Sequence, residues 1–225
     1  MGQDEALDAF VSLVERGGPT ARRWQQLSGP ALAKGGEDQA LYRYLRLTAH
    51  NEVGGDPGRW TTSVEAFHAH NATVAAHHPR SLLAGTTHDT KRSEDVRARL
   101  LALAEYPDEW ASAFRSWREQ IAHLEIGGRG EILALQTAVG AWPVDETRLG
   151  DYLVKAAREA GLDTTWAARD EGYESNLRAL ATELTCGEIA STIADFVGRV
   201  EPAARSIALA QLVVRLTSPG VPDLY

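Results

Sequence analysis

The chain has 225 residues, 44% of them apolar, with 23 basic against 31 acidic side chains and a formal net charge of -8. That length allows one large domain or two small ones around a sizeable core, and the ordinary apolar share argues against disorder or a fibrous repeat. The negative balance disfavours a general nucleic-acid or anionic-membrane binder, and no apolar run approaches membrane-spanning length.

The opening "MGQDEALDAF" is acidic and helical in pattern, unlike a signal peptide. Leu7, Phe10, Val11 and Val14 share one face of this first helix, which Gly17-Gly18 ends. A glycine-rich stretch, "GPALAKGGED" at 29–38, leads into an expected helix over 36–50 with Leu41, Leu45 and Thr48 on one side. Residues 51–59, "NEVGGDPGR", form a loop by turn chemistry, a helix is expected over 61–76, and Pro79 punctuates. Ser81–Thr87 is the one internal strand candidate. Ser93 is a plausible N-cap with Glu94 and Asp95 in the first turn, and Val96, Leu100 and Leu103 form the stripe behind it. Trp110, Phe114, Trp117, Ile121 and Leu124 mark a strongly amphipathic helix. Further helices are read at about 129–140, 146–160, 171–184, 187–199 and 203–217. "SPG" at 218–220 stops the last one, and "VPDLY" reads as the first residues of another strand. One internal strand and one clipped strand in a mostly helical text suggest a piece of something larger.

Cys186 is the only cysteine, so an intrachain disulfide and a zinc ribbon are excluded, and the usage suits a reducing cytoplasm. Lysine occurs only at 34, 91 and 155, so its placement is informative. The stretch "SLLAGTTHDTKRSEDVRARL" runs from apolar residues into His88-Asp89 and Lys91, a charged trio that demands solvent or a ligand. A carboxylate at a strand end serves as base, nucleophile, metal ligand or stabiliser of a cationic transition state; it serves equally as a turn cap. His68, His70, His77, His78 and His88 raise a metal-dependent helical phosphohydrolase as one alternative, with solvated loops as the plainer account of the first four. The glycine-rich 29–38 stretch lacks the spacing and hydroxyl of a phosphate-binding loop, and Lys34 with Glu37 reads equally as solvated surface. Tryptophans 110, 117, 142 and 166 suit a sugar or base platform, but Trp110 and Trp117 belong to the helical stripe and so to the core. A helical interaction module without a site remains the other alternative.

Four blocks, in order, resemble the maltooligosyltrehalose synthases of the α-amylase superfamily. They are "GPALAKGGEDQALYRYLRLTAHNEVGGDPGR", "TTHDTKRSEDVRARL", "YLVKAAREAGLDTTWAARDEGYE" and "SPGVPDLY", spanning about residue 25 to residue 225. The second is similar to that family's version of the superfamily His-Asp motif. Thr165, Gly36 and Gln39 depart mildly from the family's commoner residues. The family's Arg-x-Asp-His nucleophile motif and Glu-Lys-Ile acid/base motif are absent from the chain, which therefore resembles an internal fragment. The resemblance implies that Asp89 stabilises the transition state. It further implies that His88 contacts a sugar hydroxyl and that Lys34, Glu37, Lys91, Arg158 and Glu159 hold the reducing-end glucose. The implied reaction is intramolecular transglucosylation of a maltooligosaccharide, its terminal α-1,4 bond becoming an α,α-1,1 bond, with no cofactor and no metal. The implied partners are the remainder of the barrel and a separate trehalose-releasing hydrolase that uses the product. The implied fold is a fragment of a (β/α)8 barrel, mainly α when taken alone. Residues 1–93 would be a barrel segment carrying the seventh strand, 94–200 a helical insertion, and 201–225 the last barrel helix and the start of the eighth strand. By itself such a chain is expected to be inactive.

Overall fold

The computed structural model describes residues 2–223, and within them the chain is mainly helical with two short strands. It divides into two compact units, Met1–Ala40 and Leu41–Tyr225.

In the first unit, α1 (Gln3–Glu15) and α2 (Pro19–Leu32) meet at the Gly17-Gly18 turn. Pro19 opens α2, where a missing N–H costs nothing. Phe10 of α1 meets Trp24 of α2 edge to face, their ring centroids 4.9 Å apart. No helix is expected between Gly17-Gly18 and residue 36, so α2 is an addition to the sequence reading. In the structure the helix runs through Pro30 and widens into a π-helical turn over Ala33–Glu37 before α3 (Asp38–Arg43). A proline inside a helix removes one hydrogen bond and crowds the preceding turn.

The second unit corrects the expected 36–50 helix, which ends at Arg43 and gives way to a short 3-10 turn, Thr48–His50. Long-range side chains take the backbone there. Gln136 accepts from the Thr48 N–H at 2.8 Å and donates to the Leu45 carbonyl at 2.9 Å, while Asn51 donates to the Leu41 carbonyl at 2.7 Å. Then come α4 (Val64–His77), capped by Ser63, and strand β1 (Leu82–Ala84), shorter than the Ser81–Thr87 expectation. Helices α5 (Glu94–Ala102), α6 (Pro107–Ile121), α7 (Gly128–Ala141), α8 (Glu146–Ala160) and α9 (Glu171–Cys186) follow. The N-caps of α5, α8 and α9 are Ser93, Asp145 and Asp170, whose side chains accept from the Val96, Arg148 and Tyr173 N–H groups.

The two expected helices at 187–199 and 203–217 are one, α10 (Glu188–Thr217), which passes straight through Pro202. Ile189, Ile193, Phe196, Val200 and Ala204 keep one face buried across the proline, and that packing holds the helix together. Strand β2 (Val221–Asp223) lies parallel to β1 with Leu82 opposite Val221, Leu83 opposite Pro222 and Ala84 opposite Asp223. Leu224 and Tyr225, also expected in that strand, lie outside the described residues. At Gly220, φ is +139° and a Cβ would lie 2.7 Å from Leu83 Cγ, so only glycine lets the chain enter β2 there.

The core is built by α5 to α10. Leu100, Leu135, Leu149, Leu153, Leu177, Leu180, Leu184 and Ile193 are fully buried, each worth on the order of 2 kcal/mol in water-excluded apolar area. The α6 stripe behaves as its spacing predicts: Trp117 and Ile121 are buried, with Trp110 and Phe114 packed against the core. Trp110, Trp117 and Phe196 cluster with ring centroids 5.6 to 6.2 Å apart, and the Trp117 indole N–H donates to Thr192 at 2.8 Å. Arg99 of α5 donates to the last carbonyls of α7, Gly140 at 3.0 Å and Trp142 at 2.7 Å, and pairs with Glu201 of α10 at 3.1 Å. No helix among the described residues is long and apolar enough to cross a membrane.

Candidate functional site

The residues after β1 fold back by their own threonines. Thr87 N–H donates to Thr90 Oγ1 at 3.2 Å, Thr90 Oγ1 donates to the Thr87 carbonyl at 3.0 Å, and Asp89 N–H donates to Thr87 Oγ1 at 3.3 Å. Thr86 Oγ1 accepts from Glu94 N–H at 3.1 Å and joins the turn to the start of α5. The result is a short turn with His88 and Asp89 exposed at its tip, directly beyond the C-terminal end of β1. Asp89 is 53% exposed, whereas the Lys91 side chain is only 7% exposed and its ammonium lies 4.0 Å from the Asp89 carboxylate. That distance is a loose ion pair, with room for Asp89 to accept hydrogen bonds from a ligand.

The turn is fastened from below by a residue that the sequence placed in a plain loop. Glu52 accepts from the Lys91 N–H at 2.7 Å and the Arg92 N–H at 3.2 Å, and it pairs with Arg97 at 3.2 Å. Arg97 also donates to the Arg92 carbonyl at 2.8 Å and to the Gly85 carbonyl. Both carboxylate oxygens of Glu94 accept from one nitrogen, Nη1, of Arg215 of α10, at 2.7 and 2.6 Å. Charge-assisted bonds of this kind fix geometry better than neutral ones. The available signal for Glu52 was its place in "NEVGG", beside Asn51, whose amide locks the same loop.

Arg158 and Glu159 lie on the last turns of α8, in a cluster of their own. The Arg158 guanidinium donates to both oxygens of Glu174 at 2.8 and 2.5 Å, and Thr164 Oγ1 donates to the same carboxylate at 2.8 Å. The Arg158 bond holds the Glu174 carboxyl down to about 2, against burial that pushes it up, and Thr164 adds to the lowering. The bond to Glu174 also raises Arg158 above its ordinary value. Arg158 stacks on Trp166 at 4.9 Å, and the Trp166 N–H donates to Glu159 at 3.2 Å. Trp166 is exposed. Burial and the nearby Asp163 push the Tyr173 phenol up to about 12.

Lys34 and Glu37 sit on the π-helical turn of the first unit, where Lys34 pairs with the buried Asp38 at 2.7 Å. The sequence-predicted site residues thus fall in three places: Asp89 with Lys91 on the turn after β1, Arg158 with Glu159 at the end of α8, and Lys34 with Glu37 on the π-helical turn of the first unit. Of the histidines, His68, His70 and His77 lie along α4, and among the described residues no three metal-ligating side chains converge.

No family model matches the chain. Proteins from two strains of Mycobacterium tuberculosis, each named "Putative maltooligosyl trehalose synthase", are 39% identical to it over 226 residues, covering 97% of this chain and 29% of theirs. The structure of maltooligosyltrehalose synthase from Arthrobacter ramosus superposes with a TM-score of 0.81 at 42% identity, over 92% of this chain and 27% of that one. The "hypothetical maltooligosyl trehalose synthase" of Sulfolobus tokodaii superposes with a TM-score of 0.82 at 32% identity, over 92% of this chain and 30% of that one. The chain spans about 29% of the length of the curated relatives it matches. Nearly the whole of its sequence and its fold is accounted for by these matches, and the chain corresponds to a segment of the maltooligosyltrehalose synthases.

Proposed function

We propose that the chain is part of a maltooligosyltrehalose synthase and carries one face of its active site. The observation that carries this reading is Asp89, an exposed carboxylate held by an ordered turn at the C-terminal end of β1, with the Lys91 ammonium 4.0 Å away. The C-terminal ends of strands are where α/β barrels place their chemistry. In this reading β1 and β2 are the seventh strand and the start of the eighth, residues 94–200 are a helical insertion, and the protein works in the cytoplasm. The reaction converts the terminal α-1,4 bond of a maltooligosaccharide into an α,α-1,1 bond without net hydrolysis.

The chemistry follows from charge. Breaking the α-1,4 bond develops positive charge on the sugar ring, and a nucleophilic carboxylate and a proton donor act on the two sides of that bond. Asp89 accepts hydrogen bonds from the ring hydroxyls as that charge grows, and His88 holds a neighbouring hydroxyl. The released reducing-end glucose must stay and turn so that its anomeric hydroxyl re-attacks. Lys91, Lys34, Glu37, Arg158 and Glu159 hold it, offering donors and acceptors for a polyol. The nucleophile and the acid/base belong to motifs that these 225 residues do not contain. The trehalosyl product would pass to a separate trehalose-releasing hydrolase.

Asp89→Asn in a protein that contains all three carboxylates keeps the shape and removes the charge. Turnover is expected to fall by about 10²- to 10³-fold. Near-normal formation of the trehalosyl product would remove Asp89 from the site. Lys91→Ala in the same protein is expected to release more free glucose per trehalosyl product, because escape then competes with re-attack.

A further inference from the structure

We propose that a cleft on the far side of the Lys91-Arg92 turn binds a phosphate group, free or carried on a small organic molecule. The cleft is formed by the start of α5, by α7 and by α8, and its walls carry Lys91, Arg92 and Arg148 with no acidic side chain among the lining residues. Arg92 decides the matter. It is only 7% exposed, yet among the described residues its guanidinium has no carboxylate within ion-pair distance and a single hydrogen bond, from Nη2 to the Tyr152 hydroxyl at 3.0 Å. Arg92 is itself one of the residues that line the cleft. A buried cation normally has an anionic partner or several hydrogen bonds.

The neighbouring acids are committed elsewhere. Glu52 takes the backbone N–H groups of Lys91 and Arg92 and pairs with Arg97, and Asp145 caps α8 through the Arg148 N–H. The planar fork of an arginine suits two oxygens of a phosphate, and the exposed Arg148 and the Tyr152 hydroxyl supply further donors. Val144 and Leu149 form an apolar wall against which the organic part of a phosphomonoester could rest. Arg92 and Arg148, on which the phosphate site rests, have no role in the transglucosylation reading; Lys91 is shared between the two.

The test is a calorimetric titration of the full 225-residue chain with inorganic phosphate and, separately, with glucose 6-phosphate, at constant ionic strength set with chloride. Saturable binding is expected, weakened about tenfold by Arg92→Gln and about threefold by Arg148→Gln. Tighter binding of the monoester would assign the site to phosphomonoesters, and equal binding to free phosphate. Arg148 is exposed, so Arg148→Gln keeps the test valid if circular dichroism shows Arg92→Gln to be unfolded. No saturable binding above the chloride background, or binding that Arg148→Gln and the folded Arg92 variant leave unchanged, would overturn the proposal.

Discussion

Glu52 is a single carboxylate that satisfies two backbone N–H groups and one guanidinium beneath the Asp89 turn. Hydrogen bonds to a charged acceptor are worth about 1.5 to 3 kcal/mol each, and removing the charge weakens all three together. Glu52→Gln is therefore expected to lower stability by roughly 1 to 3 kcal/mol in urea unfolding with an unchanged m value. A wild-type midpoint would mean that Arg97 and the threonines hold the turn without it. Glu174 supports a pH prediction. Its carboxyl sits at about 2 in the fold against an ordinary 4.5, so the unfolded chain binds the proton more readily. The stability it contributes is complete above 4.5 and is lost as the pH falls toward about 2. The stability difference between wild type and Glu174→Gln should shrink over that window, and a constant difference would contradict the Arg158 pair as its cause.

At the level of elements, α10 is the telling case. Pro202 is exposed within a helix of 30 residues, where it lacks an N–H and crowds the preceding turn. That costs about 3 kcal/mol relative to alanine, offset by about 1 kcal/mol because proline also restricts the unfolded chain. Pro202→Ala is expected to raise stability by roughly 2 kcal/mol, read as a higher urea midpoint. A loss of stability would show that α10 needs the local distortion. Near by, α5 and α7 approach closely enough that a Cβ at Gly140 would lie 3.0 Å from Leu100 Cγ, which ties the two helices to a small residue at that crossing.

In the second unit as a whole, the apolar surface is unevenly covered. Leu209, Val213, Val214 and Leu216 on the last turns of α10 are exposed, and so are Leu82 and Val221 on the two strands, at 69% and 46%. Parallel strands are ordinarily buried on both faces, and a two-stranded parallel pair leaves both its edges open. The isolated chain is expected to self-associate, with a sedimentation mass that rises with concentration and returns toward the monomer in Leu209→Lys/Val213→Lys. On the function proposed above it is also expected to form no trehalosyl product from maltopentaose, since its sequence contains neither the nucleophile nor the acid/base motif. A strictly monomeric chain, or any catalytic formation of a non-reducing sugar, would contradict these two expectations in turn.

The sequence by itself determined what depends on neighbours along the chain. The helices from α5 to α9 follow from apolar spacing and, for α5, from the cap at Ser93, and the His88-Asp89 turn follows from threonine and aspartate chemistry within a few positions. The family was legible for the same reason, since its motifs are short and contiguous. Tertiary structure alone decided where distant groups override local preference. Gln136 and Asn51 end the helix expected over 36–50, and a buried apolar face carries α10 through Pro202. Glu52 reaches across some 39 residues to hold the turn, and Glu174 turns Arg158 from a lone cation into half of an ion pair. Those outcomes rest on hydrogen bonds and ion pairs between residues far apart in sequence, whose partners no local pattern specifies.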